Sequence, residues 1–107
     1  MKALKIENRK VTLIDIANST PDEELHAMQA AVSGYIEVVR ISEDAALIVD
    51  EEGLLKCLNQ NALASLVARQ QIVGTAVIVG LDVNADGERV FCDCPERYVT
   101  NLLALGK

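Results

Sequence analysis

Aromatic side chains are scarce in this sequence of 107 residues, which contains one phenylalanine, two tyrosines and no tryptophan. Proteins that bind single-stranded nucleic acids commonly stack the bases on aromatic rings, so the composition disfavours that activity. Positive charge is also in deficit, because ten lysines and arginines face 16 aspartates and glutamates and leave a net charge of −6. Such a surface repels phosphate and is compatible with a basic protein partner or with solubility alone. We therefore expect no binding to nucleic acid.

Long apolar runs are missing as well, since none approaches the roughly 20 residues that a membrane-spanning helix needs. Residues 1–6 form too short and too polar a segment to resemble a signal peptide. Cysteine is uncommon, with Cys57, Cys92 and Cys94 as the three thiols. An odd number of thiols without an export signal is typical of a reduced, cytoplasmic protein. We expect a cytoplasmic chain that does not enter a membrane and that uses no metal or other cofactor.

Two apolar runs around the polar segment Ser42-Glu43-Asp44 predict a β-hairpin over residues 34–41 and 45–50. The second run is apolar on both faces, and so is the segment 74–81. A strand that is covered on both faces lies inside a sheet, so we place these segments side by side at the centre of the core. The residues that we expect to be buried there are Ile36, Val38, Leu47, Val49, Val77 and Val79.

Strands and helices do not alternate regularly along the rest of the chain, which argues against a doubly wound parallel sheet. We expect a single α+β domain over residues 1–107. Its sheet should be mixed or mostly antiparallel, with about five to seven strands and two or three helices packed on it. The predicted segments are, in order, strands at 3–6 and 11–16, a helix from Thr20 to Gly34, an extended run at 54–58, a helix at 62–68, a strand at 89–92 and a helix after Pro95.

Periodicity also identifies side chains that should face the core outside the central strands. They are Leu4, Ile6, Val11 and Leu13 in the opening hairpin, Leu25, Met28 and Val32 in the first helix, and Leu63, Leu66 and Val67 in the second. A sheet covered by so few helices should keep some apolar surface exposed, so we expect a homodimer. Tyr98, Val99 and Leu102 are candidates for its surface if the last helix faces outward.

The sharpest local motif is the run Asp82-Val83-Asn84-Ala85-Asp86-Gly87. It matches the opening of a calcium-binding loop, with oxygen ligands at Asp82, Asn84 and Asp86 and a carboxylate, Asp93, at the twelfth position. Against this match, Asp93 is shorter than the usual Glu, Arg89 takes a position that is normally apolar, and a strand precedes the loop. Asp-Gly between apolar runs is also a strong signal for a hairpin turn. The turn is the simpler interpretation, and a calcium site is the alternative.

Few polar side chains stand out as candidates for catalysis or ligand binding. His26 is the only histidine, and no nucleophile or orienting group stands at a recognisable spacing from it. We therefore expect no enzymatic activity. Glu37 and Arg40 lie in an apolar strand, where they either pair with each other or belong to a ligand site. Tyr35 and Asn61 complete the candidate ligand-binding residues, although Asn61 also suits a helix cap.

The run Gly34-Tyr35-Ile36-Glu37-Val38-Val39 resembles the signature of a family of small uncharacterised proteins, a domain of unknown function found in bacteriophages, plasmids and related bacterial loci. The similarity runs over nearly the whole chain, and the opening strand resembles the start of the family. The other similar segments are Leu47-Ile48-Val49-Asp50-Glu51-Glu52-Gly53, Asn61-Ala62, the glycine-bounded run from Ile72 to Gly80, and the ending from Pro95-Glu96-Arg97 to Leu103. One departure is that the family often has a proline just before the asparagine, where this chain has Leu58-Asn59-Gln60. The resemblance implies an accessory protein of a mobile element. Such proteins often act on host machinery.

The sequence leaves two functions open. The first is a non-enzymatic binding or interaction protein that acts on a host protein, which the acidic composition, the missing catalytic constellation and the resemblance favour. The second is a small-ligand or calcium-binding domain that uses the loop from Asp82 to Asp93. A calcium titration followed by thermal melting separates them, because a ligand that binds only the native state raises its stability.

Overall fold

The apolar segments assemble into one antiparallel sheet with helices on both of its faces. The computed structural model describes residues 1–7 and 9–105. The elements in chain order are β1 (Lys2–Glu7), β2 (Lys10–Asp15), α1 (Pro21–Val32), β3 (Ile36–Ser42), β4 (Ala45–Asp50), α2 (Ala62–Ala68), β5 (Ala76–Val83), β6 (Arg89–Cys92) and α3 (Glu96–Leu105). The strand order is β2-β1-β5-β4-β3, and β6 pairs with the last part of β5. Six antiparallel strands and three helices confirm the predicted α+β class.

β4 and β5 occupy the centre of the sheet because their side chains are apolar on both faces. All six residues of β4 and the first five of β5 are buried. On one face, Leu47 and Ile78 belong to a cluster that α2 and α3 cover. On the other face, Ile48 and Val77 pack beneath Met28 of α1, and we call this surface the α1 face. The predicted burial of Leu47, Val49, Val77 and Val79 is confirmed.

Some predicted core positions are exposed because they lie at the edges of the sheet or on the outer side of a helix. Val38 is 47% exposed and Ile36 is half-buried, since β3 has a neighbouring strand on one side only within the described residues. Leu13 is 44% exposed on the opposite edge strand, β2. In the helices, Leu66 is 76% exposed and Leu25 is 38% exposed. The prediction of buried side chains was wrong at Val38, Leu13, Leu66 and Leu25, whereas Ile36 is partly buried against the cluster beneath α1.

Residues 54–58 form successive turns instead of the predicted extended run. The amide of Leu58 donates a hydrogen bond to the carbonyl of Gly53 at 3.1 Å. Leu54 and Leu55 are 71% and 82% exposed, so this apolar run contributes little to the core. The segment is mostly apolar but lies outside the sheet, and without a neighbouring strand an extended backbone would leave its polar groups unpaired.

The last helix faces the core. Leu102 is 6% exposed, and Tyr98 and Val99 pack against the same cluster that α2 covers. α3 therefore does not offer these three side chains as the surface of a homodimer. Within residues 1–7 and 9–105, every helix is too short or too polar to cross a lipid bilayer.

A matched pair of charge substitutions tests this placement of the strands. Val77 is fully buried and Val38 is 47% exposed, although both face the α1 side of the sheet. Val77→Asp should prevent folding, because an unpaired buried charge costs several kcal/mol, against a typical total stability of about 5–15 kcal/mol. Val38→Asp should fold. Circular dichroism melting checks both, and a cooperatively melting Val77→Asp protein would contradict the central position of β5.

Candidate functional site

The segment that resembles a calcium loop is a hairpin turn between β5 and β6. The side-chain oxygen of Asn84 accepts two amides of the turn, each at 3.0 Å. Asp93 lies beyond the far end of β6, about 13 Å along the strand from Arg89, where the turn ends, and its carboxylate accepts the amide of Lys2 at 2.8 Å. Asp82, Asn84, Asp86 and Asp93 are therefore not gathered around one point. The described part of the chain holds no cluster of three or more His, Cys, Asp or Glu suited to a metal.

Asn61 joins three segments of the fold. It is 1% exposed, and its Oδ1 accepts the amide of Ala64 at 3.1 Å, which confirms it as the cap of α2. Its Nδ2 donates to the carbonyls of Ile6 and Gly74, each at 2.9 Å. Both amide protons and one acceptor position of the side chain are thus used inside the protein. This arrangement ties α2 to β1 and to the segment that leads into β5.

Asp50 is a buried carboxylate at the end of β4. Its side chain is 1% exposed, and its oxygens accept hydrogen bonds from Lys56 Nζ at 2.7 Å and from the Glu52 amide at 2.9 Å. Burial alone would raise the pKa of Asp50, but these hydrogen bonds outweigh it and hold the pKa below its ordinary value. Lys56 also donates to the carbonyl of Ser33 at 3.2 Å. The ion pair therefore connects the central strand to the end of α1.

Gly34 lies directly against this carboxylate, where there is no room for a side chain. A Cβ at Gly34 would lie 2.7–2.8 Å from the carboxylate atoms of Asp50, which is too close for a real contact. The left-handed conformation that ends α1 is adopted by Ser33, which has φ 62° and caps the helix. The glycine is thus needed for its small size. A polar cavity of about 420 Å³ opens beside the pair, and its polar lining is Glu7, Ser33, Asp50, Lys56, Asn59 and Thr75.

The other candidate residues of β3 point in different directions. Glu37 pairs across the strands with Val49 and Arg40 with Ala46, and these two partners face opposite layers. Glu37 and Arg40 therefore do not form the predicted charge pair. Tyr35 precedes the strand and is 67% exposed. Only Arg40, among the four candidate ligand-binding residues, lies at an apolar cavity of the α1 face.

This cavity, which we call the distal cleft, lies beside the turns of the two hairpins, where α1 leaves the sheet uncovered. Its volume is about 290 Å³, and it is lined by Val38, Arg40, Leu81, Arg89, Val90 and Phe91. The cleft crosses the sheet from β3 to β6. Between Arg40 and Val79, the central strand contributes only the small side chain of Ala46. The exposure of Val38 leaves apolar surface available in the cleft.

Three arginines surround this end of the sheet, and only one of them has a carboxylate partner. Arg97 of α3 donates two hydrogen bonds to Asp44, at 2.8 and 2.6 Å, and holds the pKa of that carboxyl well below its usual range. Arg40 donates to two backbone carbonyls of the β3–β4 turn, at 3.0 and 3.1 Å. Over residues 1–7 and 9–105, neither Arg40 nor Arg89 has a carboxylate oxygen within 4.0 Å. The distal cleft thus combines apolar side chains with two unneutralised positive charges.

The thiols near this end of the sheet are poor nucleophiles. Burial raises the pKa of Cys94 to about 12 and also raises the pKa of Cys92. A cysteine attacks substrates and binds metals as its thiolate, so neither residue is suited to that chemistry at neutral pH. All three cysteines are free.

Most residues of the distal cleft were not among the sequence-based candidates. Arg40 was identified, whereas Leu81, Arg89 and Phe91 were not. One signal was available, because Arg89 departs from the calcium-loop pattern at a position that is normally apolar. The sequence could not show that β3 and β6 line the same cavity, since their separation depends on the order of the strands between them.

The comparisons with known proteins identify a family and nothing further. The family model described as a domain of unknown function (DUF3846) matches residues 1–103. No curated protein and no solved structure gives a significant match to the chain.

The Asp50–Lys56 pair should make stability depend on pH. In Lys56→Met, the buried Asp50 loses its cation, so we expect a loss of about 2–3 kcal/mol in the free energy of unfolding at about pH 7. The carboxyl pKa is depressed in the native protein and should be raised in the variant. The difference should therefore begin to shrink as the pH falls through the raised pKa of the variant, above about 4, and should vanish once the pH is below the depressed pKa of the native protein. Urea unfolding across pH checks this, with Lys5→Met as control, because the side chain of its partner Glu7 is 46% exposed whereas that of Asp50 is 1% exposed. A loss independent of pH would contradict the assignment.

Proposed function

This chain belongs to the DUF3846 family, a domain of unknown function, and from that premise we propose that it is a non-enzymatic protein that binds another protein through the distal cleft. The supporting observation is the combination of exposed apolar side chains with Arg40 and Arg89. Exposed apolar surface rimmed by polar groups is characteristic of protein interaction sites, and arginine is enriched in the binding hot spots of interfaces.

The size of the cleft suits a single anchoring side chain. A volume of about 290 Å³ is at the lower end of the range for small-molecule sites, and the cleft is open along the edge strand β3. An apolar side chain of a partner can reach Val38 and Phe91, while the arginines bind carboxylates or carbonyl groups around it. Binding of this kind needs no chemical step, and no catalytic role is included in the proposal.

The biological setting is also part of the proposal. We propose that the protein is an accessory factor of a bacteriophage, plasmid or related element, that it works in the cytoplasm, and that its target is a host protein. The sequence resemblance, which runs over nearly the whole chain, supports this setting. The acidic composition, with a net charge of −6, favours a protein target over a nucleic acid.

Protein capture from a host lysate tests this function. Val38→Lys places a charge in the distal cleft at an exposed position, and Leu55→Lys makes the same change at a position that is 82% exposed and outside the cleft. The unmodified chain and Leu55→Lys should retain the same protein, and Val38→Lys should lose at least about 90% of it, because an interface anchor is worth more than about 1.4 kcal/mol. Equal capture by the two variants would remove the cleft from the proposal.

A calcium titration tests the alternative function. Calcium should leave the melting temperature unchanged, because the oxygen of Asn84 and the carboxylate of Asp93 are engaged at opposite ends of β6. A ligand at a concentration one hundred times its dissociation constant would add about 2.7 kcal/mol of stability. A saturable rise in melting temperature that disappears in Asp86→Asn would favour the calcium-binding function instead.

A further inference from the structure

The segment 51–55 has the chemistry that is complementary to the distal cleft. Its large apolar side chains, Leu54 and Leu55, are 71% and 82% exposed, and the nearby Glu51 and Glu52 are also exposed. Gly53 is buried against Val73, and the side chains on either side of it, Glu51, Glu52, Leu54 and Leu55, are exposed. The described residues therefore include an apolar cleft with two arginines that form no ion pair and, elsewhere, a segment that exposes two leucines and two carboxylates.

One molecule cannot bring these two features together. The distal cleft lies at the beginning of β4, where Ala46 pairs with Arg40, and the segment 51–55 follows the end of the same strand at Asp50. Five residue steps of an antiparallel strand separate the two ends by roughly 17 Å. The central strand is fixed between β3 and β5, so it cannot fold back. Only a second molecule can place this segment in the cleft.

We propose that two copies of the chain form a dimer in which the segment 51–55 of each copy occupies the distal cleft of the other. Under two-fold symmetry both contacts form at once, because each copy contributes one distal cleft and one segment 51–55. Leu54 and Leu55 cover the apolar lining around Val38 and Phe91. Glu51 and Glu52 supply ion-pair partners for Arg40 and Arg89, which form no ion pair within residues 1–7 and 9–105.

The charged groups in direct contact favour the dimer, although the net charges of the two copies oppose it. Each copy carries a net charge of −6, so two copies repel each other at long range. At physiological ionic strength this repulsion is screened over about 8 Å, whereas arginine–carboxylate hydrogen bonds act in direct contact. The dimer would cover the cleft, so a host protein would compete with the second copy for the same surface. The dimer itself does not depend on the existence of a host partner.

Sedimentation of charge-exchanged variants tests the proposal. The unmodified chain should sediment at twice its mass of 11.6 kDa at micromolar concentration. Arg89→Glu alone should sediment as a monomer, because the new carboxylate at position 89 repels Glu51 and Glu52 and removes one of the two arginines of the cleft. Glu51→Arg/Glu52→Arg should also be a monomer, because its segment is repelled by the arginines. In a mixture of the two variants, the side chain at position 89 of each copy faces a segment of opposite charge, so the mixture should recover the dimer, with an affinity weakened less than about tenfold.

Leu55→Ser is a second variant, and it changes no charge. Leu55 is 82% exposed, so its replacement should have little influence on folding. It should weaken the dimer by at least about tenfold, since it removes one exposed apolar contact that is buried on association. A monomeric unmodified chain would overturn the proposal, and so would folded variants whose mixture stays monomeric. A dimer that survives all these changes would show that another surface joins the copies. Capture of a host protein by Leu55→Lys is a separate result, which tests the proposed function without the dimer.

Discussion

The burial of β4 and β5 on both faces is the constraint on which the rest of the fold depends. These strands carry side chains such as Leu47 and Ile48 on opposite sides, and burying one such side chain contributes about 1.5–3 kcal/mol. A single covering layer would leave half of this apolar surface in water. Helices must therefore cover both faces, with α1 on one and α2 and α3 on the other. The remaining strands add to the two sides of this central pair, so β2 and β3 become the edges of the sheet.

The Asp50–Lys56 pair controls how the chain turns from α1 into the edge strand β3. The carboxylate is removed from water, so it needs its cation and the backbone amide of Glu52 to remain charged. The lysine in turn reaches the carbonyl of Ser33 at the end of α1. Gly34 passes directly against the carboxylate because it has no side chain. One ionic contact thus fixes the end of a helix, the start of β3 and the turns that follow β4.

The distal cleft results from incomplete coverage of the sheet. α1 packs over Ile48 and Val77, but the α1 face continues past it to Leu81 and Phe91. The small Ala46 leaves a depression between the strands, and Asp44 of the β3–β4 turn is paired with Arg97. Within residues 1–7 and 9–105, Arg40 and Arg89 form no ion pair beside this apolar surface.

The sequence by itself determined the α+β class, the two doubly buried strands, the capping of α2 by Asn61 and the hairpin turn at Asp86-Gly87, because each depends on local periodicity or on turn chemistry. The tertiary structure decided which strands lie at the edges, and so the exposure of Val38 and Leu13. It also decided that Arg40 and Arg89, which are distant in the sequence, line one cleft. These features depend on strand order and on the reach of α1, and such long-range contacts leave no periodic signal in either segment.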